Sequence, residues 1–241
     1  MTSRIARIMT VLLLAVASVI VPSASADAAT PTRDCWQTLD GVTTLVTASQ
    51  RTVTVVRGTG GSWARVSFWV RSGGGCTMKR LFLTTTARVG RAGIGDAATR
   101  RQGGGVTPRG AYTMTEAFGN SPPPRTAMPF RRVAAGDFWV EDNNSPFYNS
   151  YRNVAQGGFD AGLPVADVNG SERLSSYPKA YALAVVINFN RAPDYQQAYR
   201  GAGIFLHVKG SGPTAGCVGI TLAQMRTVLQ NLRPGDRIVI Q

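Results

Sequence analysis

The sequence predicts a mainly β fold, a sandwich or barrel with few helices. Short runs rich in β-branched and aromatic residues recur along the chain, and Gly-rich turns such as 58–61 and 73–75 separate them. Their close, even spacing is typical of all-β sandwiches and barrels. Only one segment, near the carboxyl end, has a clear helical period. We therefore expect a β domain over residues 36–241.

The strands are predicted wherever these runs occur, and two longer connections separate some of them. Residues 118–135 contain three successive prolines and are predicted to be a surface loop. Residues 141–178 are rich in Asp, Asn, Ser and Gly, and an excursion of that length is often a lid or a binding wall. The predicted strands are 43–47, 52–56, 63–70, 81–86, 111–115, 137–140, 181–188, 204–208 and 237–241.

One amphipathic helix is predicted near 222–232. Thr221 and Gln224 have the spacing of a capping box at its start. The apolar residues that follow recur with the period of one helix face, and Pro234-Gly235 ends the segment. That apolar face consists of Leu222, Met225, Val228, Leu229 and Leu232.

Residues 1–26 have the composition of a secretory signal peptide. Arg4 and Arg7 precede an apolar run over 9–21, and the small residues 24–26 provide a cleavage site. The run is short for a membrane span, although an uncleaved anchor is the alternative. We expect a mature protein that begins near Asp27, is secreted or bound to the cell wall, and has no membrane segment after cleavage.

The charge of the chain favours polyanionic partners. It has 26 basic and 13 acidic residues, and removing residues 1–26 takes away two Arg, leaving 24 against 13, a net charge of +11. For an exported protein, anionic wall polymers fit this field better than nucleic acid does. A compositional bias towards Arg without a binding role is the alternative.

The three cysteines and one histidine narrow the possible chemistry. They are too few for a structural zinc site of the Cys/His kind, and no metal is expected. Cys35 and Cys76 flank the N-terminal β region, and a disulfide between them would stabilise it by about 3–4 kcal/mol. Cys217 is then the odd thiol, and a disulfide at Cys217 would exclude it as a nucleophile.

His207 and Cys217 are the candidate catalytic pair. His207 ends a predicted strand, Cys217 follows a Gly/Ser/Pro loop ten residues later, and a hairpin would bring the two together. The imidazole could then hold the thiol as a thiolate–imidazolium pair. Gly216 tolerates positive φ, and the N–H groups of Gly216 and Cys217 could form an oxyanion hole. The alternative is a packed histidine and an inert buried cysteine.

Three segments resemble the YkuD-type L,D-transpeptidase catalytic domain. Phe-Leu-His at 205–207 with Pro-Thr-Ala-Gly-Cys-Val at 213–218 resembles the family signature, a His followed by Ser/Thr-x-Gly-Cys. Thr-Pro-Arg-Gly-Ala-Tyr at 107–112 resembles its Thr-Pro-x-Gly-x-Phe/Tyr segment, and 138–149 resembles its actinobacterial secreted branch. The resemblance implies Cys217 as the nucleophile, His207 as its base, Gly216 in the oxyanion hole, and Thr214 shaping the loop.

The resemblance also implies a reaction. Such enzymes attack the third-residue carbonyl of peptidoglycan stem peptides, release D-Ala, and pass the thioester to an amine, which forms a 3→3 cross-link. No cofactor is implied. Ala215 and Gly219 depart from the His and the Arg or Asn that many members have at these positions. The alternatives are an L,D-carboxypeptidase-type hydrolase and a non-catalytic wall-binding module on the same scaffold.

Other polar and aromatic residues are predicted to be structural. The motif residues Thr107, Pro108 and Gly110 are interpreted as a turn before a core strand. Trp139 and Tyr148 are interpreted as packing aromatics, with a substrate cleft as the alternative. The acids interpreted as solvated loop charges are Glu141, Asp142 and Asp160.

Overall fold

The computed structural model describes residues 33–193 and 196–241, and its fold is mainly β, as predicted. The predicted signal peptide lies outside the described residues. One α-helix, α1 (Leu222–Asn231), and three short 3-10 segments (Val154–Gln156, Leu174–Ser176 and Ala180–Ala182) occur within the described ranges. The strands are β1 (Cys35–Leu39), β2 (Val42–Val46), β3 (Thr52–Gly60), β4 (Trp63–Arg71), β5 (Met78–Arg88), β6 (Ile94–Asp96), β7 (Thr107–Met114), β8 (Ala117–Gly119), β9 (Phe130–Arg132), β10 (Asp137–Val140), β11 (Ser150–Asn153), β12 (Glu172–Arg173), β13 (Ala184–Val186), β14 (Phe205–Val208), β15 (Val218–Ile220) and β16 (Asp236–Ile240).

Eleven strands form one curled sheet in the order β6-β7-β16-β3-β4-β5-β15-β14-β13-β8-β9. The sheet is mixed, because β14 pairs with β15 in parallel whereas β13 pairs with β14 antiparallel. A second sheet of three strands, β11-β10-β12, is formed by part of the 141–178 excursion together with β10. The excursion is therefore tied to the main body by β10 rather than lying free on the surface.

The hydrophobic core has two parts that matter for the site. The larger packs one face of the curled sheet against Met225, Val228 and Leu229 of α1, whose Thr221–Gln224 capping box forms as predicted. The smaller is an aromatic cluster between the two sheets, where Trp139 and Phe205 meet with ring centroids 5.0 Å apart. Cys217 belongs to this second cluster.

Each predicted strand has an observed counterpart, and the predicted strand that is shortened most is 181–188. Only Ala184–Val186 is extended there, because Ala180–Ala182 turns as a 3-10 segment that seats Tyr181 in the aromatic cluster. The prediction of a loop over 118–135 is wrong at both ends. Its first residues complete β8, which pairs with β13, and Phe130–Arg132 forms β9 against β8.

The N-terminal hairpin of β1 and β2 contains a strand that was not predicted. Asp40 and Gly41 form its two-residue turn with positive φ values of 49° and 80°, as a type I′ turn requires. The Cys35–Cys76 disulfide is present, with Cα atoms 5.9 Å apart, and links this hairpin to the connection between β4 and β5. No helix in the described ranges is long and apolar enough to span a membrane.

Candidate active site

His207 lies on β14 and Cys217 directly precedes the neighbouring β15, and both line one cavity of about 850 Å³. Leu206 pairs with Val218 in parallel, so Cys217 stands next to Phe205 at the start of this ladder. Side chains two residues apart on a strand share a face, which places His207 and Phe205 on the same side. The expectation of a hairpin between the two is wrong. The chain returns through a loop that Thr214 anchors to Val89 O at 3.0 Å, so β15 runs parallel to β14.

The Cys217 thiol is a free, buried thiol held by backbone groups. Its side chain sits in the aromatic cluster, and the residue is 7% exposed. The thiol donates to the carbonyl of Gly203 at 3.3 Å, and the N–H of Phe205 donates to the sulfur at 3.3 Å. Burial raises the pKa of the thiol well above its usual value, and the charge of Glu172 raises it further.

The His207 imidazole is oriented by the backbone. Its Nδ1 lies 2.9 Å from Val208 O, an arrangement that places the proton on Nδ1. The ring of Tyr181 meets it edge-on with centroids 5.5 Å apart. Burial lowers the pKa of His207, while backbone hydrogen bonds with Val208 and Ala180 act in the opposite sense.

These pKa directions favour a neutral thiol beside a neutral imidazole at rest, rather than the thiolate–imidazolium pair expected from the sequence. No hydrogen bond joins His207 to Cys217 in the described ranges. The thiol donates to Gly203 instead.

The loop before the nucleophile is fixed by two threonines. Thr214 Oγ1 donates to Cys217 O at 2.7 Å and accepts the Gly216 N–H at 3.2 Å. Thr107 Oγ1 lies 3.5 Å from the same carbonyl and accepts the Gly90 N–H at 2.8 Å. Thr107 of the upstream Thr-Pro-x-Gly segment is thus structural, as predicted, but the predicted turn is wrong, because Thr107, Pro108 and Gly110 lie within β7.

Gly216 occupies a position that only glycine fits without displacement. Its φ of +143° lies where side chains are strained, and a Cβ there would lie 3.0 Å from both Val106 O and Arg100 Nη2. At Gly219 the space for a side chain is taken up by a neighbouring residue. A Cβ at Gly219 would lie 2.9 Å from Lys209 Cβ, so Lys209 occupies the space of the Arg or Asn found here in many relatives.

Arg100 is a functional candidate that the sequence analysis missed. It is 5% exposed, lines the cavity, and donates from Nε to Val106 O at 2.8 Å and from Nη1 to Arg200 O at 2.6 Å. Its remaining nitrogen, Nη2, faces Gly216. Burial lowers the pKa of Arg100, whereas the charges of Cys217 and Glu141 raise it. Its position in a polar, Arg-rich segment gave no sign of burial.

Glu141 and Glu172 form an acidic pair that lines the same cavity. Glu172 pairs with Trp139 across β10 and β12, and Glu141 follows Trp139 by two residues, so both acids project from one face. Burial raises the pKa of Glu141 to about 8 and that of Glu172 to about 7, and the charge of Glu172 adds to the rise at Glu141. The interpretation of Glu141 as a solvated loop charge is therefore wrong.

The remaining predicted residues lie outside the chemistry. Trp139 and Tyr148 are packing residues, 1% and 6% exposed. Asp142 and Asp160 accept the N–H groups of Asn144 and Gly162 and do not line the cavity. In the part of the chain that the structure describes, no three His, Cys, Asp or Glu side chains are grouped to hold a metal ion.

Comparison with known proteins identifies one family. The family model YkuD, described as the L,D-transpeptidase catalytic domain, matches residues 45–240. Among solved structures, the chain is similar to "Structure of Bdellovibrio bacteriovorus Bd1075", with 17% sequence identity and a TM-score of 0.40. The match covers 80% of this chain and 48% of that one, so this chain spans about half its relative's length. No curated protein sequence matches the chain.

Proposed function

The chain belongs to the L,D-transpeptidase catalytic domain family, and we propose that Cys217 is its nucleophile and His207 its general base. The substrate is a peptidoglycan stem peptide. The observation that carries the proposal is the shared cavity, which is lined both by a free thiol directly before β15 and by the chain's one histidine on the adjacent β14. The thiol is held there by a single carbonyl acceptor, Gly203 O, which it can leave.

The first half of the reaction forms a thioester. The thiol gives its proton to His207 as sulfur attacks the stem carbonyl, because both groups are neutral at rest. The oxyanion that develops is held by the N–H groups of Cys217 and Gly216, the latter moving from Thr214 Oγ1. The imidazolium then protonates the leaving amine of D-Ala, the C–N bond breaks, and the acyl group remains on sulfur.

The terminal carboxylate of the donor stem needs a cation, and Arg100 provides it. Gly219 has no room for the Arg or Asn that many relatives place there, because Lys209 fills that space. Arg100 reaches the nucleophile loop from the other side, with Nη2 beside Gly216. Guanidinium groups bind carboxylates through charge-assisted hydrogen bonds. In this chain, donor recognition therefore depends on Arg100.

Intact-protein mass spectrometry tests the nucleophile. Incubation with a carbapenem should add one adduct to the wild type and none to Cys217→Ala. His207→Gln should slow adduct formation by about 10²-fold or more, as expected for loss of a general base. An adduct on Cys217→Ala, or none on a folded wild type, would contradict the proposal. The second result would favour the non-catalytic wall-binding module.

We also propose that residues 1–26 direct export and that residues 36–241 are the catalytic domain, secreted or held at the wall. The net charge of +11 that remains without residues 1–26 (24 basic against 13 acidic residues) supports contact with anionic wall polymers. N-terminal sequencing of the protein recovered from culture supernatant and wall fractions tests this, and the expected first residue is near Asp27. A protein that retains residues 1–26 would point to an uncleaved anchor.

A further inference from the structure

The acidic pair has no evident task in forming the thioester. The charges of Glu172 and Glu141 raise the pKa of Cys217, which opposes ionisation of the thiol. After acylation the sulfur carries no charge, and this opposition disappears. Carboxylates beside the nucleophile are therefore better matched to the second half of the reaction, in which the attacking group arrives as a cation.

Geometry places the Glu141 carboxylate beside the reacting sulfur. Both groups contact Gly203. The thiol donates to its carbonyl, and a Cβ on its Cα would lie 2.5 Å from Glu141 Oε1. Gly203 has a φ of +64°, a conformation that keeps this position free of a side chain. Glu141 Oε1 thus lies against the residue that positions the thiol.

Glu141 and Glu172 differ in how they are satisfied. Glu172 Oε1 accepts the Tyr181 hydroxyl at 2.8 Å, and the Tyr181 ring packs on His207. The Glu141 carboxylate accepts no hydrogen bond from the described residues, although it lines the cavity. The carboxylate therefore has its hydrogen-bonding capacity free on the cavity side, where a cationic donor from a ligand could bind it. The charge of Arg100 lowers the pKa of Glu141, but the hydrogen bonds of Arg100 go to Val106 O and Arg200 O.

We propose that Glu141 and Glu172 bind the ammonium group of the acceptor amine and that Glu141 removes its proton before the amine attacks the thioester. This inference rests on the function proposed above and assigns the residues that receive its amine acceptor. One proton passes from the ammonium to the Glu141 carboxylate. The nitrogen lone pair then forms the C–N bond, the C–S bond breaks, and the second proton goes by way of His207 to the departing sulfur. The products are an amide, a thiol and a protonated Glu141, which releases its proton to solvent.

The raised pKa of Glu141 suits this step. An alkylammonium has a pKa of about 10.4, far from the ordinary carboxyl value near 4. A carboxylate with a pKa of about 8 is a better match for that proton, and it is still ionised often enough to accept it. Binding of the cation itself favours the ionised form of the pair.

Partitioning of the acyl-enzyme tests the proposal. The donor stem tetrapeptide is incubated with each variant and either a stem acceptor with a primary amine or hydroxylamine, which is uncharged at neutral pH. The ratio of aminolysed to hydrolysed product is measured by liquid chromatography and mass spectrometry. Because both products come from the same thioester, this ratio does not depend on the acylation rate.

Glu141→Gln should lower the ratio for the stem amine by about 10²-fold, the usual range for a lost general base, and Glu172→Gln by about tenfold. With hydroxylamine, which needs no deprotonation, the ratio for Glu141→Gln should stay within about threefold of wild type. Asp160→Asn, which makes the same charge change on an exposed loop outside the cavity, is the matched control and should leave both ratios unchanged. Thermal unfolding of each variant establishes that the proteins compared are folded. Glu172→Gln provides a second carboxyl variant if Glu141→Gln does not fold.

Several results would overturn the inference. An unchanged ratio in folded Glu141→Gln, or an equal loss with hydroxylamine, excludes the ammonium site and its proton transfer. A wild type that hydrolyses the thioester despite the amine excludes an acceptor site altogether. Absence of any acyl-enzyme on the wild type would refute the proposed function itself. That result is distinct from a changed product ratio, which requires an acyl-enzyme.

Discussion

Replacing Gly216 by Ala is expected to destabilise the protein and to slow acylation of Cys217. The φ of +143° costs a residue with a side chain about 1–3 kcal/mol. The new methyl carbon would lie 3.0 Å from Val106 O and 3.1 Å from Ile204 Cδ1, which adds about 1–3 kcal/mol of overpacking. The Val106 carbonyl cannot easily withdraw, because it accepts Arg100 Nε at 2.8 Å. The smaller entropy of the unfolded Ala chain offsets about 0.4–1 kcal/mol. The net loss is about 3 kcal/mol.

Urea unfolding followed by tryptophan fluorescence measures the loss, and the rate of carbapenem adduct formation measures the effect on Cys217. Gly212→Ala is the matched control in the same loop, since a Cβ there meets nothing within 4 Å. It should be unchanged or more stable by up to about 1 kcal/mol and should acylate normally. Equal unfolding free energies for the two variants would refute the argument that Gly216 is required by space and backbone conformation.

Three further predictions concern the disulfide, the nucleophile loop and the acidic pair. The double variant Cys35→Ala/Cys76→Ala should lose about 4 kcal/mol of unfolding free energy in urea, from a loop closed over a sequence separation of 41, yet still form the Cys217 adduct. Thr214→Val should lose about 1–3 kcal/mol and acylate more slowly, whereas Thr214→Ser, which retains the hydrogen bonds to Cys217 O and Gly216 N, should not. The raised pKa values of Glu141 and Glu172 mean that the folded state keeps protons that the unfolded state has released. Thermal melts should therefore show that stability falls as pH rises from about 6.5 to 8, by up to about 1.4 kcal/mol per pH unit for each carboxyl. The lowered pKa of His207 makes stability rise with pH, but only below this range. Glu141→Gln should flatten this slope, and a slope equal to that of wild type would contradict the assignment.

Local patterns were enough to predict most elements of the fold. Strands with several successive β-branched or aromatic residues, such as β3 and β4, and the capped helix α1 each carry their signal within one segment. Most of the elements that were missed are short, although β1 has five residues, as many as β2, which was predicted. The two residues of β12 and the three of β8 have too few positions for a period to show, and they exist because β10 and β13 offer them partners.

The candidate site divides in the same way. His207 and Cys217 were found because the chain contains few residues of these types. Arg100 and Glu141 were missed because Arg is abundant and acids usually lie on loops, so residue type alone carried no signal. What places Glu141 in the cavity is the register of Trp139 with Glu172, a pairing between residues 33 apart in sequence. A non-local contact of that kind has no counterpart in a local pattern.

The basic and acidic side chains in the cavity suit different steps of the proposed reaction. In a chain with twice as many basic as acidic residues, two of the thirteen acids lie beside a nucleophile whose ionisation they oppose. Uncharged residues there would remove both the desolvation cost and the repulsion, so a role in packing does not account for the pair. Arg100 lies beside Gly216, where we propose that it binds the donor carboxylate while the thioester forms. Glu141 lies against Gly203, where we propose that the incoming amine binds. A variant of Arg100 should therefore impair acylation by the stem peptide. A variant of Glu141 should instead change the ratio in which amine and water react with the thioester.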